Sequence, residues 1–111
     1  MNRQAHLGDW ELMVLLALMR LGEDAYGVPI CWEIEQQTGR EVAVGSVYAA
    51  LERLEQKGFV HSQLGKPTAE RGGRAKKYFR ATDSGVGQVR QTQRALMNLW
   101  TGVPQLKGVL G

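Results

Sequence analysis

Between Tyr26 and Gly58 the sequence writes two helical patterns end to end, with only a few residues between them in which to turn. That spacing restricts the fold more than any other feature. The first pattern, Tyr26 to Thr38, sets Gly27, Ile30, Cys31, Ile34 and Thr38 on one stripe and stops at Gly39. Pro29 is tolerable there only in the first turn, where backbone donors have no intrahelical partner. Arg40-Glu41-Val42 then leads into AVGSVYAALERLEQKGFV, where Val44, Val47, Tyr48, Leu51 and Leu54 recur at threes and fours. Gly58 stands where a left-handed residue ends a helix. Two helices joined by a short glycine-containing turn make a helix-turn-helix.

The second of these helices, residues 44–57, carries a different face as well. At 3.6 residues per turn, Ser46, Ala49, Ala50 and Arg53 are expected roughly opposite the apolar stripe. That face is small and uncharged at its start and basic at its end, so it can lie close against a flat or grooved surface.

The flanking segments complete a domain. Asp9 is the expected cap of a helix from Trp10 to about Leu21, with Glu11 in its first turn. This helix is apolar nearly all round, which implies burial on two sides, the second against a partner subunit. Gly22-Glu23-Asp24 is a turn, and Asp24 is a candidate cap for the helix that follows.

Beyond Gly58, Phe59 and Val60 open an extended segment, His61 to Leu64 reads as a strand, and Lys77 to Ala81 as a second. The stretch GKPTAERGGRAK closes them into a hairpin with a long tip. From Lys66 to Arg80 there are six Lys/Arg against Glu70 alone, and Gly72-Gly73 lets backbone approach a surface closely. The fold class is therefore mainly α with a small β-hairpin, a winged helix-turn-helix.

Thr82 is the expected cap of a last helix, Asp83 to Trp100, on which Val86, Val89, Leu96, Met97, Trp100 and, just beyond, Val103 recur at threes and fours. A core already closed by helices and a hairpin has no place for this stripe, so it is expected to pair with a second subunit. The chain thus divides into a winged helix-turn-helix unit at 1–82 and a dimerisation helix and tail at 83–111. Trp10, Met13, Leu96, Met97 and Trp100 are the expected interface residues.

Charge points to the partner. Residues 1–60 carry five Lys/Arg and nine Asp/Glu, whereas residues 61–111 carry nine and two. A net of +7 in the second half implies a surface facing a polyanion. Cys31 is the single cysteine, which excludes an internal disulfide and suits a reducing cytoplasm. No signal-peptide pattern is visible, and the longest apolar run, Leu12 to Met19, is far short of the ~20 residues that span a bilayer. His6 and His61 have no second ligand at metal spacing, no serine lies in a nucleophile-elbow context, and no cofactor motif is present. An enzyme is not expected.

The segments LGDWELMVLLAL, GEDAYGVPI, GSVYAALERLEQKGFV and RGGRAKKYFRATDSG, in this order over roughly residues 7–100, resemble the PadR-type transcriptional regulators. The resemblance implies a homodimeric winged-helix DNA-binding protein, usually a repressor, of the compact subgroup with one short C-terminal helix. It implies that this helix pairs with the N-terminal helix of the other subunit. Some relatives bind planar aromatic compounds between subunits, so a small planar aromatic effector is the implied ligand class. Tyr48 is implied to lie near the phosphate backbone, and Arg71 to Lys77 to be the wing. Two departures are local: Ala43 stands where relatives often place a capping Ser, and Leu96 where a drug-binding relative carries an aromatic.

The sequence-level expectation is a regulator that binds an inverted-repeat operator in double-stranded DNA as a homodimer. Ser46, Tyr48, Ala49, Ala50 and Arg53 would face the major groove or its phosphates. Arg71, Gly73, Arg74, Lys76 and Lys77 of the wing, residues 66–77, would lie on backbone or minor groove. The competing reading is a winged helix used for protein docking, with its hairpin merely solvated.

Overall fold

The computed structural model describes residues 7–65 and 75–107. Its elements are α1 (Asp9–Leu21), a 3-10 turn (Gly22–Asp24), α2 (Gly27–Thr38), α3 (Val44–Gln56), β1 (Val60–Leu64), β2 (Lys77–Ala81), α4 (Asp83–Trp100) and a second 3-10 turn (Pro104–Leu106). The tip of the hairpin, including Arg71, Gly73 and Arg74, lies outside the described residues.

The core is made by the first three helices and the hairpin. Val14, Leu15 and Leu18 of α1 meet Ile30, Cys31 and Ile34 of α2 and Val47, Ala50, Leu51 and Leu54 of α3. Phe59, Val60, Phe79 and Val89 close it from the hairpin and the start of α4. Most of these side chains are essentially inaccessible, so the packing that orients α3 is fully desolvated.

Local chemistry sets the element ends. Gly39 (φ 75°) closes α2 in the left-handed region. At the end of α3, Gly58 (φ 80°) donates from its amide to the Glu55 carbonyl, and the Phe59 amide donates to Leu54 at 2.9 Å. Phe59 and Leu54 are both buried, which completes the motif with its apolar contact. The hairpin is antiparallel, with Val60 opposite Ala81 and Leu64 opposite Lys77. It is tied down where the Phe79 amide donates to the Ala25 carbonyl at 2.8 Å. Thr82 caps α4, accepting from the Gly85 amide, and donates its own hydroxyl proton to the Gly58 carbonyl at 2.7 Å.

Several expectations are corrected. The cap of α1 is Gly8, not Asp9, because the Glu11 carboxylate reaches back to the Gly8 amide at 3.1 Å. Asp24 ends the 3-10 turn, and Tyr26 takes the cap position of α2. Thr38 is exposed, its hydroxyl donating to the Ile34 carbonyl. On α3 the buried stripe is Val47, Ala50, Leu51 and Leu54, while Val44 and Tyr48 are exposed. Ala50 sits one turn from Val47 and one from Leu54, so it falls inside the stripe rather than opposite it. It cannot touch DNA.

Not all of the apolar surface of α1 is covered in one chain. Leu16 and Met19 are exposed, on a flank one turn apart from each other. Trp10 and Met13 lie on a different flank, turned toward the loop between α2 and α3. There the Trp10 indole donates to Ser46, and Met13 Sδ lies 3.9 Å from an Arg40 guanidinium nitrogen. On α4, Leu96, Met97, Leu99 and Trp100 are exposed as well.

Candidate nucleic-acid interface

The solvent face of α3 presents Gly45, Tyr48, Ala49, Glu52, Arg53 and Gln56. Ala43, at the cap position, supplies no side-chain bond. The Ser46 amide and hydroxyl both donate to the Ala43 carbonyl, the hydroxyl at 2.8 Å. With that proton committed, Ser46 Oγ is left as an acceptor toward any ligand. Glu52 and Gln56, which the apolar pattern does not single out, stand on the same exposed face.

Tyr48 leans over the start of α2. A Cβ added to Gly27 would lie 2.2 Å from Tyr48 Cζ and Oη, so the glycine makes room for the ring. No side chain caps α2, and its first turn carries the partial positive charge of a helix N-terminus. The phenol of Tyr48 therefore sits beside the uncapped first turn of α2.

A second aromatic group stands at the same place. The Tyr26 and Tyr78 rings meet edge to face, with centroids 5.3 Å apart. Lys76 Nζ lies 4.4 Å from the Tyr26 ring centroid and 3.2 Å from its hydroxyl. The lysine at the base of the wing is thus held against the cap residue of α2, 50 positions away in sequence. Tyr26 carries no charge and sits on no stripe, so only the preceding turn and the following Gly-Val-Pro hinted that it begins a helix. Lys77 is exposed, its ammonium 5.7 Å from the Phe79 ring.

Arg53 is engaged elsewhere. Its Nε donates to Glu11 Oε2 at 2.9 Å, and Lys57 Nζ donates to Glu11 Oε1 at 2.7 Å. Glu11 is buried. Burial alone would raise its pKa, but Lys57, the Gly8 amide and Arg53 outweigh that and hold the carboxyl below its ordinary value. Cys31 is a core thiol whose Sγ–H donates to the Val42 carbonyl, and burial and then Glu35 push its pKa up. Such a thiol is poorly nucleophilic. Among the described residues no three His, Cys, Asp or Glu side chains converge on a common point, and no helix is long and apolar enough to cross a membrane.

Of the residues expected at a groove, Ser46, Tyr48, Ala49 and Arg53 share the exposed side of α3, and Lys76 and Lys77 stand at the base of the wing. Ala50 does not join them. The arrangement offers a small-residue helix face flanked by phenol, ammonium and backbone donors, a set suited to a polyanion with a groove.

The family model described as the transcriptional regulator PadR-like family matches residues 15–91. Solved structures similar to this chain include a PadR family transcriptional regulator from Eggerthella lenta, 27% identical over 86% of this chain and 81% of that one, with a TM-score of 0.68. Another is a PadR-like transcriptional regulator from Bacillus cereus, 22% identical over 89% and 91%, TM-score 0.70. A third is a PadR family transcription regulator from Clostridium difficile, 20% identical over 94% and 100%, TM-score 0.69. No match was found among curated proteins.

Proposed function

The chain belongs to the PadR-like family of transcriptional regulators, and from that membership we propose that it is a homodimeric repressor of an inverted-repeat operator. α3 enters the major groove, and the wing, residues 66–77, lies on the backbone or in the adjacent minor groove. The observation that carries this reading is the junction of Tyr48, Lys76 and the open start of α2 beside the Gly45 and Ala49 face. A phosphate seated there would receive a phenol proton, an ammonium and backbone N–H groups together. That contact would fix the register, while Ala49 meets thymine methyls and Ser46 Oγ accepts from an exocyclic amine. Arg71, Arg74 and Lys77 would add charge to the wing's contact, and Gly73, with no side chain, would let backbone approach the phosphates.

Residues 1–82 would carry the DNA contacts and 83–111 the dimer contacts. The exposed Leu96, Met97 and Trp100 of α4 support such an interface, and Leu16 and Met19 supply the matching apolar flank of α1. Trp10 and Met13 face their own α2–α3 loop and contribute less than the sequence alone suggests. A small planar aromatic effector would enter between subunits at Trp100.

The test is selection of bound duplexes from a random-sequence pool, followed by titration of the winner against salt. If the dimer neutralises on the order of 6–10 phosphates, affinity falls roughly 10³–10⁵-fold between 50 and 200 mM salt. Recovery of half-sites about one helical turn apart and inverted supports the symmetric dimer. Recovery of direct repeats alone, or of no enriched sequence, rejects it.

A further inference from the structure

Two consecutive residues of α1 each hold one end of α3. Trp10 Nε1 donates to the Ser46 carbonyl in the first turn of α3 at 3.1 Å. Glu11 grips the other end, accepting from Arg53 on one oxygen and from Lys57 on the other. The Gly8 amide bonds the same carboxylate, so the group that holds α3 also closes the start of α1. The two attachment points are roughly 10–16 Å apart along the helix at 1.5 Å per residue. One pin would let α3 pivot about it, whereas two pins at opposite ends fix its tilt.

The charge arrangement has a further effect. Arg53 and Lys57 stand at the last turn of the helix that would enter the groove, and a buried carboxylate binds Arg53 Nε and Lys57 Nζ. Cations on phosphate raise affinity for every sequence equally, because counterion release is blind to base identity. Tying Arg53 Nε and Lys57 Nζ to Glu11 limits that indiscriminate contribution.

We propose that Trp10 and Glu11 are positioning residues for DNA recognition, a two-point clasp that restrains the tilt of α3 and ties Arg53 Nε and Lys57 Nζ to α1. The proposal rests on α3 being the recognition helix, as proposed above. It makes Arg53 a structural cation rather than a base reader, and it makes Glu11 a determinant of specificity although it never touches DNA.

The experiment uses the full chain with Glu11→Gln and Trp10→Phe variants. The probes are a duplex enriched by the wild-type protein from a random pool and a scrambled duplex of equal length, each titrated at several salt concentrations. Freed of Glu11, the Arg53 guanidinium of each subunit has all its donors available to phosphate. Glu11→Gln should then bind the scrambled duplex more tightly, with a salt slope steeper by about 1–2, while its preference for the enriched duplex falls on the order of tenfold. Trp10→Phe adds no cation, so its preference should fall with the slope unchanged. If Glu11→Gln weakens both duplexes in parallel, at constant preference and slope, Glu11 is merely structural and the proposal is overturned. Should the wild-type protein bind no duplex at all, the functional reading fails, and amide exchange in the free protein decides the clasp by itself. Glu11→Gln should then speed exchange at Gln56 and Lys57, and Trp10→Phe at Val47 and Tyr48, more than in β1 and β2. Acceleration no greater at those amides than in β1 and β2 would refute it.

Discussion

Gly85 of α4 rests so closely on Phe59 that a Cβ built there would lie 2.1 Å from the Phe59 carbonyl oxygen and 3.0 Å from its carbonyl carbon. The obstacle is backbone, which cannot swing aside. Gly85→Ala must lift α4 away from the hairpin and stretch the bond from the Thr82 amide to Phe59, now 3.0 Å. Overpacking of this kind costs about 1–3 kcal/mol. Two residues on, Gly87 has no atom within 4 Å of its would-be Cβ. Gly87→Ala should therefore stabilise by about 0.5–1 kcal/mol through helix propensity alone. Urea denaturation of the two variants should give shifts of opposite sign. Shifts of the same sign would mean that α4 is not docked through Gly85.

Gly27 presents the contrasting case, because what a Cβ would meet there is the free end of an exposed side chain, Tyr48. Gly27→Ala should leave the fold near wild-type stability and turn the Tyr48 ring away from the start of α2. Tyr48→Phe removes only the hydroxyl. A hydrogen bond to a charged group contributes about 1.5–3 kcal/mol, so both variants should weaken binding roughly 10–100-fold at low salt. Fluorescence anisotropy with a labelled duplex measures it. Affinity unchanged in both would take Tyr48 out of the contact set.

Acid should expose the role of Glu11. Its carboxyl titrates below the ordinary value because Lys57, the Gly8 amide and Arg53 together outweigh its burial. A depressed native pKa contributes stability that is full above the unfolded-state pKa, near 4.5, and is lost as pH falls through the native value. At pH 7 Glu11→Gln should cost about 1–3 kcal/mol, the worth of hydrogen bonds to a buried charged group. The gap between wild type and variant should narrow once pH drops below the ordinary carboxylate range. Urea melts at pH 7 and pH 3 test this, and a gap that widens toward pH 3 would reverse the sign of the argument.

What could be read from sequence was what is periodic or punctuated. Val47, Leu51 and Leu54 announce a buried stripe, Gly39 and Gly58 announce helix ends, and Thr82 announces a cap, because each acts through near neighbours. Ala50 and Tyr48 exchanged places because size and polarity disagree with position: a methyl fits either a core or a groove, and a tyrosine either a stripe or a surface. Depth in the fold decides, and a single helix does not encode it. The cap at Gly8 was missed because Asp9 has the better side chain, whereas Glu11 closes the turn from inside. Partners far apart in sequence were invisible for a plainer reason. Glu11 and Arg53 are 42 residues apart and Tyr26 and Lys76 are 50 apart, and nothing in a linear pattern pairs them.

The last prediction concerns the apolar surface that one chain leaves uncovered. Leu96, Met97 and Trp100 lie within one turn or so of each other on the distal half of α4, each about 40% exposed. Leu16 and Met19 do the same on one flank of α1. Apolar area removed from water contributes roughly 25 cal/mol per Å², so pairing these surfaces across a two-fold axis is favourable wherever their shapes match. The wild-type protein should sediment as a dimer at micromolar concentration. Trp100→Glu should sediment as a monomer while keeping its helical circular dichroism, because Trp100 lies outside the core. Position on α1 then distinguishes two interfaces. Leu16→Lys should dissociate the dimer, whereas Met13→Lys, on the flank facing Arg40, should leave it largely intact. If Met13→Lys dissociates the dimer and Leu16→Lys does not, the partner helix lies against the Trp10 and Met13 flank. A Trp100→Glu protein that remains dimeric would show that α4 is not the element holding the subunits together.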